Sequence, residues 1–433
     1  MINEDMLLES INDEINKLIP NKEKFAIAFS GGGDSTALVH ALKNHPQSEV
    51  VYIVDHDLRN GSFNEARSAK HFAESCGYNV EVLKWSHSLL RTAVQEKARI
   101  ARYGLIGDKC REKGIKYLLT AHNLEDQVET LMMRYDRKTD WRGAAGMNSI
   151  TYAPVWPELS LINIVRPLLG VSRQLLRDYN INNKIKWSED PSNKDMKYTR
   201  IKVRNYLQER PSLAELLLQT SKEMKEFVKE ENQILLEQFR KIGKIDQFGN
   251  IYLNEIPYPE LMFHCLRATS GQGCMIDRSK IKKLLRRMES TNFQASTLAG
   301  SMVSKIKQGY LIGRDPIVVK GREDSHHYRK NYSSKLEITS NGKPQLWDGR
   351  FVFGANGKKM KMAALYNNQN LLPREQFKLL KNIPFKFRIS LPVVIDNFNA
   401  KIISDGNNLI PNVLSLVKIR LESSLGGSLD KTI

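Results

Sequence analysis

The stretch Phe25–Leu42, FAIAFSGGGDSTALVHAL, drives an apolar run straight into three glycines, an acid and two hydroxyls. Phe25–Phe29 reads as a short strand. Ala37, Leu38, Ala41 and Leu42 recur at helical spacing, so Ser30–Ser35 is a strand-to-helix elbow. Such an elbow aims unpaired backbone amides and the positive end of a helix dipole at whatever lies above it, and glycines let the chain curl closely round a phosphate. The stretch predicts a phosphate cradle. It is not a Walker loop, because no lysine follows the glycines, and it lacks the G-x-G-x-x-G spacing. Taken alone, it also suits a flexible turn with Asp34 as a helix cap.

Working outward, strand-like runs alternate with helical patterns through the first 200 residues or so. Glu49–His56, Asn79–Trp85 and Lys116–His122 read as strands. Helices are expected over about 62–76, 92–113 and 123–135, with the apolar INIVRP run and a helix from Ser172 following. Alternation of this kind predicts an α/β fold, a doubly wound parallel sheet with helices on both faces. Ligands of such sheets bind beyond the carboxyl ends of the strands. That is where Ser30–Ser35, Asp55–Arg59 and His122 fall.

The helix read from AHNLEDQVETLMMR carries a second group. His122, Asp126 and Glu129 stand at i, i+4 and i+7, which is one helical face, while Leu124, Val128, Leu131 and Met132 supply apolar surface elsewhere. Such a face can bind an amine or a metal, or move protons. A solvated helix face fits the same spacing. Arg99 and Arg102 suit either surface cations or a clamp for carboxylate or phosphate.

The chain has 433 residues, which predicts two or three domains, and its 66 Lys+Arg against 48 Asp+Glu leave a formal charge of +18. A charge of that sign and size points to a polyanionic partner, nucleic acid first, although solubility alone could call for it. The first twenty or so residues are acidic where a signal peptide needs basic and apolar ones, and no run of about 18 apolar residues occurs. A cytoplasmic protein with no membrane partner is expected. Cys76, Cys110, Cys265 and Cys274 form no C-x-x-C pair, so neither a zinc ribbon nor a disulfide framework is indicated.

The segments SGGGDS, VDHDLRNGSFNEA, EKARIARY, AHNLEDQVET, RGAAGM, RPLLGVSRQLLRDY, WSEDPSNKDMKYTR and WDGRF stand in the order and spacing of bacterial tRNA(Ile)-lysidine synthetases. That family belongs to the PP-loop ATP pyrophosphatases, with a fold like the adenine nucleotide alpha hydrolases. The likeness covers most of the chain. The loop alone identifies only the superfamily, whereas Trp187–Arg200 with RGAAGM before it is far more specific. The resemblance implies that ATP adenylates the carbon-2 oxygen of the wobble cytidine in an isoleucine tRNA with a CAU anticodon. Free lysine then attacks carbon 2 through its ε-amine and expels AMP.

Site residues follow from the same resemblance. Ser30, Gly31, Gly32, Gly33, Asp34 and Ser35 match the ATP loop, with Asp55 and His56 beyond the second strand as further nucleotide contacts. Asp34 is the expected magnesium ligand. His122, Asp126 and Glu129 match the A-H-x-x-D-D-Q-x-E-T helix, with the acids expected to hold lysine's amino group and Asp34 and His122 counted with them as catalytic. Arg99, Arg102, Arg200 and Arg204 are expected substrate contacts. The sequence departs from the family at Asn123, Glu125 and Ile201. It departs most at residues 135–140, which are charged where the family has a Gly-rich R-G-[ST]-G segment.

Three domains are expected: a catalytic one over 1–210, a helical one over 211–336 containing a long amphipathic helix from Leu213 to Ile242, and a small α+β one over 337–433 that grips tRNA. Lys280–Met288 is basic on one side and suits RNA backbone or solvent equally. The tail after Asp405 is unlike the family, and its Asn, Gly, Ser and Lys residues suit an ordered or a disordered segment. A homodimer is a further candidate assembly. Two rivals stay open: a tRNA thiolase, which usually needs paired or persulfide-carrying cysteines, and a non-catalytic nucleotide-dependent RNA-binding protein, which needs no acid face.

Overall fold

The structure, a computed structural model, describes residues 4–57, 61–87, 93–137, 139–188, 199–273, 276–320, 338–340, 343–354, 360–396, 399–402 and 413–430. Two compact units divide the chain, Met1–Val228 and Lys229–Ile433.

In the first unit the strands are β1 (Phe25–Phe29), β2 (Ser48–Asp55), β3 (Val80–Lys84), β4 (Tyr117–Leu119), β5 (Ile150–Tyr152) and β6 (Asn163–Val165). They form one sheet in the order β3-β2-β1-β4-β6-β5. Five strands run parallel, and β5 pairs antiparallel with β6 at the edge. The sheet is thus parallel except for that edge strand, whose three residues are too few to show a periodicity of their own. Phe25, Ala26, Ile27, Val50, Val51, Leu118 and Leu119 are all buried, as central parallel strands covered on both faces require.

The helices are α1 (Glu4–Leu18), α2 (Gly33–Ala41), α3 (Ser62–Ser75), α4 (Val94–Lys113), α5 (Leu124–Asp136), α6 (Arg173–Asn182), α7 (Thr199–Gln208) and α8 (Pro211–Ile242). α1 has no counterpart in the sequence expectations. Its Leu7, Ile11 and Ile15 repeat every fourth residue and join the core shared by α2, α3, α6 and the sheet. Strand order reverses between β1 and β4, so the turns leaving those two strands form the crevice where such sheets bind ligands.

The second unit holds a five-stranded antiparallel sheet of β7 (Gly243–Ile245), β8 (Ile251–Leu253), β9 (Ala295–Leu298), β10 (Ser301–Ile306) and β11 (Gly309–Arg314). Helices α9 (Pro259–Thr269) and α10 (Arg278–Met288) accompany it. α10 buries Ile281, Leu284, Leu285 and Met288, which leaves its lysines and arginines on the other side. Beyond residue 337 lie a four-stranded and a three-stranded sheet. In the tail, Val413–Ser415 is a strand and Leu416–Leu425 a helix.

That last helix belongs to the interior of the second unit. Val417, Leu421 and Leu425 enter the same apolar core as Leu235, Phe239, Leu261, Leu284 and Val303. Residues on either side of the expected boundary at 336 therefore share one interior. Polar groups cross it too: buried Asp348 of the WDGRF segment accepts from Arg314 at 2.7 and 3.0 Å and from Arg350 at 2.6 Å.

Candidate active site

The elbow after β1 uses its glycines for separate reasons. Gly31 has φ of +79°, a left-handed conformation that side chains rarely adopt, and a Cβ on Gly33 would stand 3.3 Å from the Trp187 indole. Gly32 is the N-cap of α2, and no side chain caps that helix end. By contrast, α6 is capped by Ser172 and α5 by a full capping box. The first turn of α2 thus offers its amides to an anion. Ser35 Oγ donates to the Gly32 carbonyl at 2.9 Å and lies 3.0 Å from Ser30 Oγ, while Asn180 Nδ2 holds the Gly33 carbonyl at 2.9 Å.

Asp34 connects this cradle to α5. Its Oδ2 accepts from Asn123 Nδ2 at 3.0 Å and lies 3.7 Å from Arg173 Nε. Burial pushes its carboxyl up to about 6, against the opposing pull of Arg173. Asn123 is at the same time the N-cap of α5: its Oδ1 accepts from the Asp126 amide at 2.9 Å, and its own amide donates to Asp126 Oδ2 at 3.1 Å.

The capping box corrects one expectation. His122 precedes the N-cap and so does not share a helical face with Asp126 and Glu129. Its Nδ1 lies 2.9 Å from Thr120 Oγ1, and burial, with Arg166, Arg99, Arg200 and Arg102 nearby, pushes it down to about 3. It is a neutral imidazole among cations.

Asp126 and Glu129 do converge. Arg200 Nη2 donates to Asp126 Oδ1 at 2.9 Å while its Nε donates to Glu129 Oε2 at 2.5 Å. Arg204 Nε donates to Glu129 Oε1 at 2.7 Å. Arg173 Nη2 donates to Asp126 Oδ1 at 3.1 Å, and its Nη1 lies 3.6 Å from Glu129 Oε1. Arg173 thereby touches the cradle and both acids. Nothing in the sequence assigns Arg173 a role; its place directly after the Ser172 helix cap is the one local signal it carries.

Beyond β2, Asp55 Oδ1 accepts from the Asp57 amide at 3.1 Å and from Ser62 Oγ at 2.9 Å, which shapes the turn into α3. His56 Nε2 accepts from Arg102 Nε and Nη2 at 3.2 and 3.0 Å. Burial and that guanidinium push His56 down to about 4. Because arginine only donates, the proton of neutral His56 sits on Nδ1, a buried atom with no partner among the described residues. Arg102 thus meets His56 just beyond the second strand. Arg99 lies 5.0 Å over the Tyr103 ring. Leu58, Arg59 and Asn60, and residues 189–198 of the specific Trp187–Arg200 tract, fall outside the described residues. Among the described residues no group of three or more His, Cys, Asp or Glu could hold a metal.

A doubly wound sheet with a glycine elbow at its switch point defines a nucleotide-binding class of fold, and residues 7–210 match the PP-loop domain family. Over that domain and beyond, the chain is similar to tRNA(Ile)-lysidine synthases. It is 40% identical over 188 residues to that of Ruegeria pomeroyi, covering 42% of this chain and 43% of the relative. To that of Rickettsia bellii it is 29% identical over 434 residues, covering 96% and 92%. Among solved structures, a U34-tRNA thiolase from Methanococcus maripaludis matches with TM-score 0.42 and 16% identity over 51% of this chain and 78% of that one.

Proposed function

We propose that the chain ligates lysine to carbon 2 of the wobble cytidine of an isoleucine tRNA with a CAU anticodon, using ATP. The observation that carries this reading is the joining of cradle and acids: Asn123 bonds Asp34 on one side and Asp126 on the other. In the first step the cytidine O2 attacks the α-phosphate and pyrophosphate leaves toward the open amides of α2. In the second, the lysine ε-amine bonds to carbon 2 and AMP departs.

Asp34 suits magnesium, since that ion commonly takes one or two carboxylates plus phosphate oxygens and water. When bound, the ion would neutralise charge on the departing pyrophosphate. Asp126 and Glu129 suit the lysine ammonium, because both already reach one cation, Arg200. The Arg200 side chain is 43% exposed against 17% for Arg173 and 25% for Arg204, so it is the one that lysine would displace. Freed from the acids, Arg200 can meet lysine's carboxylate or a phosphate, with Arg204 beside it on α7. His122, kept neutral, suits a hydrogen-bond role to the base rather than a charged clamp.

The thiolase reading is weakened by its thiols. Burial raises Cys76 and pushes Cys110 up to about 12, away from a reactive thiolate. Cys274 lies outside the described residues. No helix among the described residues is long and apolar enough to cross a membrane. A homodimer remains part of the proposal.

The test incubates protein, ATP, magnesium and bacterial tRNA with radiolabelled lysine, and in parallel with a radiolabelled sulfur donor. Label from lysine in the CAU tRNA, dependent on ATP, supports the assignment. Label from sulfur alone, or from neither, overturns it. Asp34→Ala should abolish tRNA-dependent pyrophosphate release while tRNA affinity stays within a few fold.

A further inference from the structure

Two exposed rings flank the charged stretch at residues 135–140, where the sequence departs most from the family it resembles. Tyr135, in the last turn of α5, is 75% exposed, and Trp141, the first residue of a 3-10 helix over Trp141–Ala145, is 46% exposed. Single exposed aromatics are common and need no function. What sets Trp141 apart is how firmly its turn is held.

Asp140 Oδ1 caps the turn by accepting from the Arg142 amide at 2.8 Å. Arg134 Nη1 donates to the carbonyls of Gly143 and Gly146 at 3.2 and 2.9 Å. Gln127 clamps the far end, donating to the Met147 carbonyl at 3.0 Å and accepting from its amide at 2.8 Å. Ser221, buried on α8, donates to the Ala145 carbonyl at 2.9 Å. Two of these anchors, Gln127 and Arg134, belong to the helix that carries Asp126 and Glu129. The turn is fixed to the site's own helix while the large indole faces solvent. The Arg142 guanidinium lies 5.4 Å from the centre of the Trp141 ring, and Arg137 is exposed nearby.

We propose that Trp141, backed by Arg142 and with Tyr135 beside the same turn, is a stacking platform for an unpaired base of the RNA substrate near the reacting nucleotide. An indole offers its face to any base, and a guanidinium beside it adds attraction for the phosphate backbone. A protein partner would find too small an apolar area here, with charged residues between the rings. Because the turn is held in place before binding, little ordering cost attends stacking. The proposal rests on the tRNA reading above.

The test uses the full chain, a hairpin RNA with a CAU loop, and a blunt duplex of the same stem. Stacking on aromatic side chains is worth about 1–3 kcal/mol per base, so Trp141→Ala should weaken hairpin binding about 5- to 150-fold. Trp141→Phe should recover most of the loss, duplex binding should not change, and the salt slope should stay the same because no phosphate contact is removed. Tyr135→Ala gives a second, smaller loss at a site with less structural involvement. Hairpin affinity unchanged in Trp141→Ala, or a loss that Phe does not rescue and that extends to the duplex, overturns the platform. Lysine transfer is read on the same samples. Transfer intact with a silent Trp141→Ala sinks the platform alone, whereas selective hairpin loss in a protein that transfers no lysine sustains stacking and sinks the ligase reading.

Discussion

At the level of single residues, Asp126 does two jobs that a substitution can separate. It closes the capping box of α5 through Oδ2 and holds Arg173 and Arg200 through Oδ1. Asp126→Asn keeps an oxygen for the Asn123 amide but removes the charge. It should leave the fold intact and raise the lysine requirement about ten- to hundredfold, given about 1.5–3 kcal/mol for a hydrogen bond to a charged group. Pyrophosphate release with tRNA should persist and adenylated tRNA should accumulate. If Asp126 binds magnesium instead, release stops and the magnesium requirement rises. A second prediction concerns pH. Asp34, pushed up to about 6 by burial, loses its charge as pH falls through that value, whereas His56 and His122, pushed down to about 4 and about 3, stay neutral from pH 5 to 8. Magnesium–ATP affinity, measured by calorimetry, should therefore fall below about pH 6, and Asp34→Asn should flatten the profile. The sign for stability is the same as for any carboxyl raised on folding: the neutral form is favoured in the native state, so this group's contribution is full below its ordinary range and is lost as pH rises through 6. Asp126 and Glu129 were legible in the sequence as a pair, because i and i+3 are neighbours on any helix. That Arg200 would bridge them was not, since it lies more than 70 residues away and arrives only through packing of α7 on α5.

At the level of elements, the N-terminus of α5 is where local and distant order meet. Asn123 caps the helix and also steadies Asp34, so Asn123→Ala should cost about 1 kcal/mol of stability as a lost cap, read as a lower Tm. It should also move the midpoint of the pH profile above 6, because ionised Asp34 loses a donor. An unchanged midpoint would mean that the Asn123–Asp34 bond does not bear on the charge of Asp34. The boundaries of α3 and α4 and the end of α5 were readable from apolar spacing to within a residue or two. The exception at His122 is instructive: a face drawn at 3.6 residues per turn holds only inside a helix, and the cap at Asn123 ends it one residue later. A helix at Glu4–Leu18 was hidden because its apolar residues Leu7, Ile11 and Ile15 are spaced among acidic residues that form its solvent face.

At the level of the whole molecule, the +18 charge makes a prediction of its own. The logarithm of tRNA affinity should fall linearly with the logarithm of salt, by about 0.7–0.9 per phosphate contacted, and a flat line would mean that the charge is not deployed on RNA. The two compact units make another. Leu421 is fully buried in the core of residues 229–433, so Leu421→Ala should cost about 2–5 kcal/mol there while ATP affinity stays within about twofold. Loss of ATP binding would show that the units unfold as one. The sequence by itself determined the alternating strands and helices, the glycine elbow at the end of β1 and the acid pair on α5, because each depends on residues a few positions apart and on periods of two or 3.6. Only tertiary structure decided which strands are neighbours, that Arg173, Arg200 and Arg204 fill the acid pair, and that the last helix completes a core begun near residue 235. Those depend on burial of apolar faces and pairing of charges across long separations, for which the order of residues along the chain holds no local signal.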